Sequence, residues 1–536
     1  MKRQVRMKRI TWLMSVVLVV TILSGCSLVA KPEVMTVERP VNQDAELTAE
    51  PMEAAAEGAY YTAEEPPIAQ PSTGGTDEPN DQPYGDVFFE EYGVNPRIDT
   101  QDDALSTFAV DVDTASYTVM RRYLRDGYLP PDESVRVEEY VNFFDQDYAP
   151  PDRQAFAIHL DGAPSPYADN YHLVRVGIQG YEVPPEERKD AALTFVIDVS
   201  GSMDRENRLE LVKDALYLLV DELRPGDQVS IVIYGDRGKV LLNPTYVGEH
   251  LRRIKSAIGN LQPGGSTNAE EGLELGYEMA NRAFIPGGIN RVILCSDGVA
   301  NVGKTGPESI LAEIRQFAEE DIYLTTVGFG MGNYNDVLME QLADNGDGFY
   351  AYVDTIQEAE RVFVERLPST LQVIARDAKI QVEFDPQVVR SYRLIGYENR
   401  AVADEDFRND EVDAGEIGVG HSVTALYEIK FEADAPRDAS AMTVRLRWED
   451  PDYGEVIELA HSLAPSDLVQ AFEETRPRFQ LAVIVAQYAE VLRESYWAAE
   501  MGTTLDEVAL QAQRIAEYLP EDDDVQEFAQ LAARAT

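Results

Sequence analysis

The middle of the chain alternates between two hydrophobic patterns, one typical of strands and one typical of helices. The stretch 193–197 reads LTFVI, and its apolar, β-branched and aromatic residues predict a strand buried on both faces. The stretch 208–223 instead repeats leucine and valine at helical spacing, and further strand and helix patterns follow it in turn. This alternation predicts an α/β fold with a doubly wound, mostly parallel sheet that carries helices on both faces.

The chain on either side of this region follows other patterns. Residues 104–187 combine short strand patterns with helical patterns at Ala115–Arg125 and Val135–Phe144, and they predict a small α/β N-terminal module. Residues 376–536 predict strands first and helices afterwards, with a long acidic loop over 398–421. We therefore expect two accessory modules around the central α/β domain.

The start of the chain has the features of a targeting segment. Basic residues precede the apolar stretch Thr11–Leu23, which is too short to span a membrane. The residues that end in Cys26 resemble a bacterial lipobox, which implies a lipoprotein signal peptide over 1–25 and a lipid on Cys26. The alternative is an uncleaved signal anchor. A lipid on Cys26 predicts an extracytoplasmic protein that is anchored by this lipid to the bacterial cell membrane or envelope.

Charge and cysteine content restrict the partners and the chemistry. The net charge of −50 argues against nucleic acids and anionic lipid surfaces as partners. Residues 26–103 hold 18 acidic residues against three basic ones and predict a disordered tether. The second cysteine, Cys295, lies in a predicted buried strand, so that lipidation of Cys26 leaves no intrachain disulfide.

Arg121 and Arg122 are interpreted as part of a solvated helix face. The predicted boundaries are 1–25 for the signal peptide, 26–103 for the tether, 104–187 for the N-terminal module, 188–375 for the α/β domain and 376–536 for the C-terminal module.

Oxygen-bearing side chains follow two of the predicted strands. Asp198, Ser200 and Ser202 lie on a turn directly after the first strand, and Asp297 ends a second buried strand. A glycine-rich loop ahead of a predicted helix adds the hydroxyl of Thr267. In open α/β sheets, ligands bind at the carboxyl ends of the strands, and carboxylate and hydroxyl oxygens suit Mg²⁺. These residues therefore predict a magnesium site.

The order and spacing of these residues resemble the metal-ion-dependent adhesion site of von Willebrand factor A (VWA) domains. The resemblance implies that Ser200, Ser202 and Thr267 bind Mg²⁺ or Mn²⁺ directly. It also implies that Asp198 and Asp297 act mostly through water, so that the cation attracts a carboxylate from a protein ligand. The flanking stretches resemble those of a group of bacterial VWA lipoproteins. The competing interpretation is that the serines cap a helix and that Asp297 lies in an ordinary turn.

The resemblance implies a function as well as a fold. We expect a cell-envelope lipoprotein that presents the adhesion site for divalent-cation-dependent protein binding or complex assembly, and that is not an enzyme. The five histidines are scattered and no GxSxG elbow is present, so neither a zinc hydrolase nor a serine hydrolase finds support. A further possibility is that the metal only stabilises the fold.

Two short motifs keep a phosphoryl-transfer enzyme open as the alternative. The DVDT sequence at Asp111 resembles the nucleophile motif of haloacid-dehalogenase-type phosphatases, but the phosphate-binding lysine that this chemistry needs does not occur before Lys189. The sequence GVANVGKT over Gly298–Thr305 fits the P-loop pattern. Pro307 follows it closely, so that we expect the next helix to begin at about Glu308, too late to serve phosphate. The competing interpretations are an aspartate N-cap and a chance match.

Overall fold

The computed structural model describes residue 87 and residues 89–536, except for 153, 185–186, 299–306, 332–333, 367–370, 411 and 413 and for the side chains of 307–309. The predicted signal peptide, Cys26, most of the predicted tether and most of the GVANVGKT motif lie outside these residues. Within the described part of the chain, none of the helices has the length and apolar character needed to span a bilayer.

Strands and helices account for most of the described chain. The strands are β1 Ile98–Asp99, β2 Leu105–Ala109, β3 Phe156–Pro164, β4 His172–Gly180, β5 Ala191–Asp198, β6 Gln228–Tyr234, β7 Gly238–Tyr246, β8 Ile289–Ser296, β9 Tyr323–Gly328, β10 Tyr350–Tyr352, β11 Val373–Phe384, β12 Val389–Ile395, β13 Gly415–Gly418, β14 Ser422–Phe431, β15 Met442–Glu449 and β16 Val456–Leu463. The helices are α1 Ala115–Arg125, α2 Val137–Phe143, α3 Arg208–Glu222, α4 Val247–Gly259, α5 Ala269–Ala283, α6 Pro307–Glu319, α7 Asp336–Asp344, α8 Ile356–Glu360, α9 Pro477–Leu492, α10 Tyr496–Met501, α11 Leu505–Tyr518 and α12 Asp523–Arg534.

The central sheet has six strands in the order β10-β9-β8-β5-β6-β7. Neighbouring strands pair in parallel, except that β7 runs antiparallel to β6. Helices α3, α4 and α8 pack on one face, and α5, α6 and α7 pack on the other. Strand β5 is buried along its whole length, because its apolar side chains meet helices on both faces. The predicted doubly wound α/β fold is confirmed.

Two further sheets combine the N-terminal and C-terminal parts of the chain. One has the order β1-β12-β14-β4-β3, and the other has the order β13-β11-β15-β16 with β2 also paired to β11. Strands β2 and β4 precede the central domain in sequence, whereas their partners β11 and β14 follow it. The boundaries at 104–187 and 376–536 remain predictions about the sequence, but in space these stretches build both sheets together.

Apolar side chains hold these layers together. The two accessory sheets share one cluster, to which β4 contributes Val176, β11 contributes Ile380 and β15 contributes Val444. Helices α9, α11 and α12 pack with α1 and α2 against Leu173 of β4 and Leu426 of β14. The C-terminal part is therefore built of strands followed by helices, as the sequence predicts.

The prediction of one long loop over 398–421 is wrong in part. Strand β13 lies inside this stretch and pairs with β11, and short 3₁₀ turns cover Glu398–Arg400 and Asp404–Arg408. Strands β12 and β16 lie in the part of the chain predicted to form strands, but they are not predicted individually. Strand β13 has only four residues, which is too short for a hydrophobic period to show.

Arg121 is buried, so its interpretation as a solvated residue is wrong. Its side chain is 3% exposed, and its guanidinium donates to Asp354 and, at 2.8 Å, to Oε2 of Glu358. The neighbouring Arg122 stays partly exposed and pairs with Glu206 at 2.9 Å. Both buried partners of Arg121 come from the far end of the central domain, which the local sequence pattern of α1 cannot reveal.

Candidate metal-binding site

Three loops meet at the carboxyl ends of β5, β6 and β8. The turn after β5 is bonded to the glycine-rich loop, because the N–H of Gly201 donates to the carbonyl of Gly265 at 3.1 Å and the N–H of Gly264 donates to that of Val199 at 2.6 Å. Gly265 has a φ of +96°, and a Cβ there would lie 2.9 Å from the backbone nitrogen of Asp236. Glycine is therefore required where the loop approaches the turn after β6.

Four of the five predicted site residues form one hydrogen-bonded series. Oδ1 of Asp198 accepts the N–H of Ser200 at 2.7 Å, and the hydroxyls of Ser200 and Ser202 lie 2.9 Å apart. The hydroxyl of Ser202 then donates to Oδ1 of Asp297 at 3.0 Å. Asp198, Ser200 and Asp297 are buried, whereas Ser202 is half-buried at the opening between the loops. The ends of β5 and β8 thus bring two carboxylates and two hydroxyls together.

Thr267 lies on the glycine-rich loop and is half-buried. The structure places it two residues after Gly265, which bonds to the β5 turn, and directly after Ser266. Both the N–H and the hydroxyl of Ser266 donate to Oδ1 of Asp236, at 2.7 and 2.8 Å. These bonds lower the pKa of the exposed Asp236 carboxyl and fix the loop beside the site. The backbone therefore holds the residues directly before Thr267 beside the turns after β5 and β6, while the role of Thr267 as a metal ligand stays a prediction.

Asp198 carries a buried negative charge that its neighbours only partly stabilise. Burial raises the pKa of its carboxyl to about 6, with a smaller contribution from the charge of Asp297, although hydrogen bonds from Ser200 and Ser296 oppose the shift. The bond from the Ser296 hydroxyl to Oδ2 measures 3.0 Å. A carboxylate in this position gains from a nearby cation, and the surrounding donors are oxygens of the kind that Mg²⁺ binds. The residues therefore fit a divalent metal.

Two residues that the sequence analysis missed complete the site. Ser296 directly precedes Asp297, so a strand that ends in serine and aspartate was a signal that we passed over. Arg208, the first residue of α3, donates from Nη1 to Oδ2 of Asp297 at 2.6 Å. An arginine at a helix start has no sequence feature that marks it as part of a site. Among the described residues, no group of three or more His, Cys, Asp or Glu side chains could hold a metal ion, and this site has only two carboxylates.

The DVDT motif at Asp111, which resembles a phosphatase motif, forms buried contacts between separate parts of the chain. Asp111 and Asp113 are buried, and Oδ1 of Asp113 accepts the N–H of Tyr350 at 2.8 Å. Arg400 contacts both carboxylates, at 3.2 and 3.5 Å. The residue at the N-cap of α1 is Thr114, so the interpretation of an aspartate N-cap is wrong. The motif bonds a strand of the central sheet to the accessory part of the chain.

Helix α6 begins at Pro307, one residue before the predicted start and beyond the lysine of the GVANVGKT motif. Apart from Gly298, that motif lies outside the described residues. The helix start is therefore later than a phosphate-binding P-loop requires.

Comparison with known proteins agrees with this architecture. The family model described as "von Willebrand factor type A domain" matches residues 192–365, and one described as "von Willebrand factor" matches 84–175. The chain is thus a protein with a VWA domain. The model described as "Uncharacterized protein YfbK, C-terminal" matches 369–536. The "Uncharacterized protein YfbK" of Escherichia coli is 38% identical over 436 residues, which are 77% of this chain and 75% of that protein. The chain belongs to the YfbK family.

More distant relatives share less of the sequence. The "Uncharacterized protein sll0103" of Synechocystis is 24% identical over 314 residues, which cover 58% of this chain and 72% of that protein. Among solved structures, the von Willebrand factor type A protein of Catenulispora acidiphila is 17% identical, with a TM-score of 0.42 over 69% of this chain and 88% of that one.

Proposed function

We propose that the protein is an extracytoplasmic lipoprotein whose VWA domain binds a protein partner through a divalent cation, Mg²⁺ or Mn²⁺. The observation that carries this proposal is the hydrogen-bonded series that runs from Asp198 through Ser200 and Ser202 to Asp297. It places hard oxygen donors from two strand ends at an opening between loops, which is where ligands bind in sheets of this kind.

The donors divide the work of binding. The hydroxyls of Ser200, Ser202 and Thr267 would hold the cation directly, and the carboxylates of Asp198 and Asp297 would act on it mostly through water. When bound, the cation supplies a position that accepts a carboxylate oxygen from the partner. Because Asp198 is buried and lies beside a second carboxylate, its charge is better stabilised with the cation than without it.

Titration of the full chain with Mg²⁺ by isothermal calorimetry tests the site. We expect Mg²⁺ to bind the native protein and Thr267→Ala to weaken that binding by more than about tenfold, because a direct ligand is lost. Thr503→Ala removes a half-buried hydroxyl of the helical C-terminal part, as Thr267→Ala does in the loop, and serves as the matched control. Equal Mg²⁺ affinity in both variants contradicts the assignment of Thr267.

Partner binding is tested by cross-linking and capture from envelope extracts with Mg²⁺ and with excess EDTA. We expect captured protein to depend on Mg²⁺ and to disappear with Thr267→Ala. Capture that persists in EDTA contradicts metal-dependent binding. If EDTA lowers the melting temperature and leaves capture intact, the metal only stabilises the fold.

The lipid anchor is tested separately by membrane fractionation. We expect Cys26→Ser to release the protein from the membrane fraction, because the sulfur that carries the lipid is gone. Cys295→Ala removes the other cysteine, which is buried in β8, and we expect this variant to stay in the membrane fraction. A Cys26→Ser protein that remains membrane-bound contradicts the lipoprotein assignment.

A further inference from the structure

Arg208 introduces a positive charge into the candidate metal-binding site. Its Nη1 lies 2.6 Å from Oδ2 of Asp297, and the two side chains are 5% and 2% exposed. The other oxygen of Asp297 accepts the hydroxyl of Ser202. Asp297 therefore has a strong internal partner on one oxygen and faces the proposed cation only with the other.

The guanidinium is held in this position by the loop after β9. Its Nη2 donates to the carbonyl of Met331, and the arginine stem lies flat against Gly330. A Cβ at position 330, where φ is +87°, would lie 2.3 Å from Nε of Arg208. The glycine thus leaves room for the arginine stem, and the bond to the Met331 carbonyl helps to hold the guanidinium beside Asp297.

The charges of the site follow from this pair. Asp198 and Asp297 contribute two negative charges and Arg208 contributes one positive charge, so the buried part of the site has a formal charge of −1 when both carboxyls are ionised. Glu206 also approaches Arg208, at 3.8 Å, but its side chain is 46% exposed and solvent screens it. A divalent cation in the site would retain a net charge of +1, whereas without Arg208 the same complex would be neutral.

We propose that Arg208 is a positioning residue that weakens cation binding and keeps the bound cation short of negative charge, so that it holds a carboxylate of the partner more tightly. This inference rests on the proposed function. The arginine fixes the orientation of Asp297 and takes up one of its two oxygens, and the partner's carboxylate supplies the negative charge that the site withholds. Arg208 therefore lowers the affinity of the site for the cation alone and raises the affinity of the bound cation for the partner's carboxylate.

The test compares Mg²⁺ binding to the native protein, Arg208→Gln and Arg208→Lys by isothermal calorimetry. Because the guanidinium repels a cation a few ångströms away in a buried site, we expect Arg208→Gln to bind Mg²⁺ about tenfold more tightly or better. Arg208→Lys keeps the charge, and we expect its Mg²⁺ affinity to stay within about threefold of the native value. A residue with a merely structural role would weaken Mg²⁺ binding or leave it unchanged when it is replaced.

A second experiment measures how tightly the bound cation holds a carboxylate. Acetate that binds to the open position of protein-bound Mn²⁺ displaces water and lowers the water-proton relaxation rate. We expect acetate to bind the Mn²⁺ complex of the native protein more tightly than that of Arg208→Gln, the reverse of the order for Mg²⁺ alone. If Arg208→Gln does not fold, Arg208→Met provides an uncharged stem of similar length, and the same two shifts are expected.

The outcomes separate the two proposals. If the native protein binds no divalent cation, the proposed function fails and this inference fails with it. If the native protein binds Mg²⁺ but the uncharged variants bind it equally or more weakly, the role of Arg208 is refuted and the metal site stands. Tighter Mg²⁺ binding with unchanged acetate binding refutes the second half of the inference, the hold on the partner's carboxylate.

Discussion

The candidate metal-binding site and a second buried region both concentrate carboxylates, but they differ in how the charge is balanced. The second region, which we call the carboxylate network, lies where α7 of the central domain meets α2 and the turn after β12. Its members are the six buried carboxyl residues Asp111, Asp113, Glu138, Glu139, Asp336 and Glu340, together with Arg136 and Arg400.

The carboxylate network balances its charge internally. Arg136 pairs with Asp336 at 2.7 Å and with Glu139, and Arg400 pairs with Glu340 at 3.0 Å. Two guanidiniums do not neutralise six carboxylates, so protonation of some of these carboxyls lowers the excess negative charge. Burial raises the pKa of Glu139 to about 8 and that of Glu340 to about 7, in each case against the effect of the neighbouring arginine. Part of the network is therefore protonated at neutral pH.

The candidate metal-binding site differs in its donors and in its access to solvent. One of its two carboxylates, Asp297, pairs with an arginine, and hydroxyls from the β5 turn line the opening between the loops. A surplus of buried negative charge is thus no sign of a metal site by itself. Where the residues are enclosed between layers, protonation lowers the excess negative charge. Where oxygen donors lie at the open end of a sheet, the excess negative charge favours binding of a cation from solution.

The largest expected effect is the loss of an internal counter-ion from the network. Arg136→Ala leaves Glu139 and Asp336 buried without their positive partner, and we expect the free energy of unfolding to fall by about 3–5 kcal/mol. Denaturant unfolding monitored by fluorescence measures it. Arg252→Ala, on the exposed face of α4, is the control and should change stability by less than about 0.5 kcal/mol. A similar small effect of Arg136→Ala would show that the network does not depend on this arginine.

The next largest expected effect is a loss of Mg²⁺ affinity at the candidate metal-binding site, with the fold left intact. Asp198→Ala removes the charge that the cation stabilises, and we expect Mg²⁺ affinity to fall by about a hundredfold, which is roughly 2.7 kcal/mol. Calorimetric titration measures the affinity, and the melting temperature without Mg²⁺ should not fall, because a destabilised buried charge is removed. Asp214→Asn, which changes an exposed carboxylate of α3, is the matched control. Undiminished Mg²⁺ binding by Asp198→Ala would end the analogy with an adhesion site.

The pH dependence of stability distinguishes protons from metal ions as the balancing charge. The folded pKa values of Glu139, Glu138 and Glu340 lie at about 8, 7 and 7, above the ordinary 4.5, so the folded state binds more protons than the unfolded state in this range. This stabilisation is complete below about pH 4.5 and is lost as pH rises through 7 to 8. We expect the free energy of unfolding to fall by about 2 kcal/mol between pH 7 and 8.5.

Denaturant unfolding across this range measures the slope. The range begins at pH 7, above the ordinary pKa of histidine, because burial, with the charges of Arg366 and Arg291, lowers the pKa of His421 to about 3, which gives the opposite slope at lower pH. Glu139→Gln should flatten the dependence, and added Mg²⁺ should not alter it. A stability that rises towards pH 9 would contradict protonation of the network.

The smallest expected effect comes from a surface ion pair near the candidate metal-binding site. Arg122→Gln removes contacts with Asp126 and Glu206, both partly exposed. Solvent screens such pairs, so we expect stability to change by less than about 0.5 kcal/mol and Mg²⁺ affinity by less than about twofold. Calorimetry and denaturant unfolding measure both. A larger loss of Mg²⁺ affinity would mean that Glu206 holds Arg208 in place through this pair.

The sequence by itself determined the local elements and their chemistry. Helix α1 is predicted over Ala115–Arg125 and is observed with the same bounds, and the strand predicted over 193–197 lies within β5. Hydrophobic periods of 2 and 3.6 residues are properties of neighbouring positions, so a single chain displays them. The strand-end positions of Asp198 and Asp297 followed from the same patterns.

Only the tertiary structure decided which distant residues meet. The pairing of β2 with β11 sets Ala109 beside Lys379 across the whole central domain, and Arg208 reaches Asp297 from a separate helix. Local periodicity carries no information about such contacts, because the free energy that selects them comes from burial and charge pairing between residues far apart in the chain. The charge balance of both carboxylate regions is therefore a property of the fold, although each carboxylate can be read in the sequence.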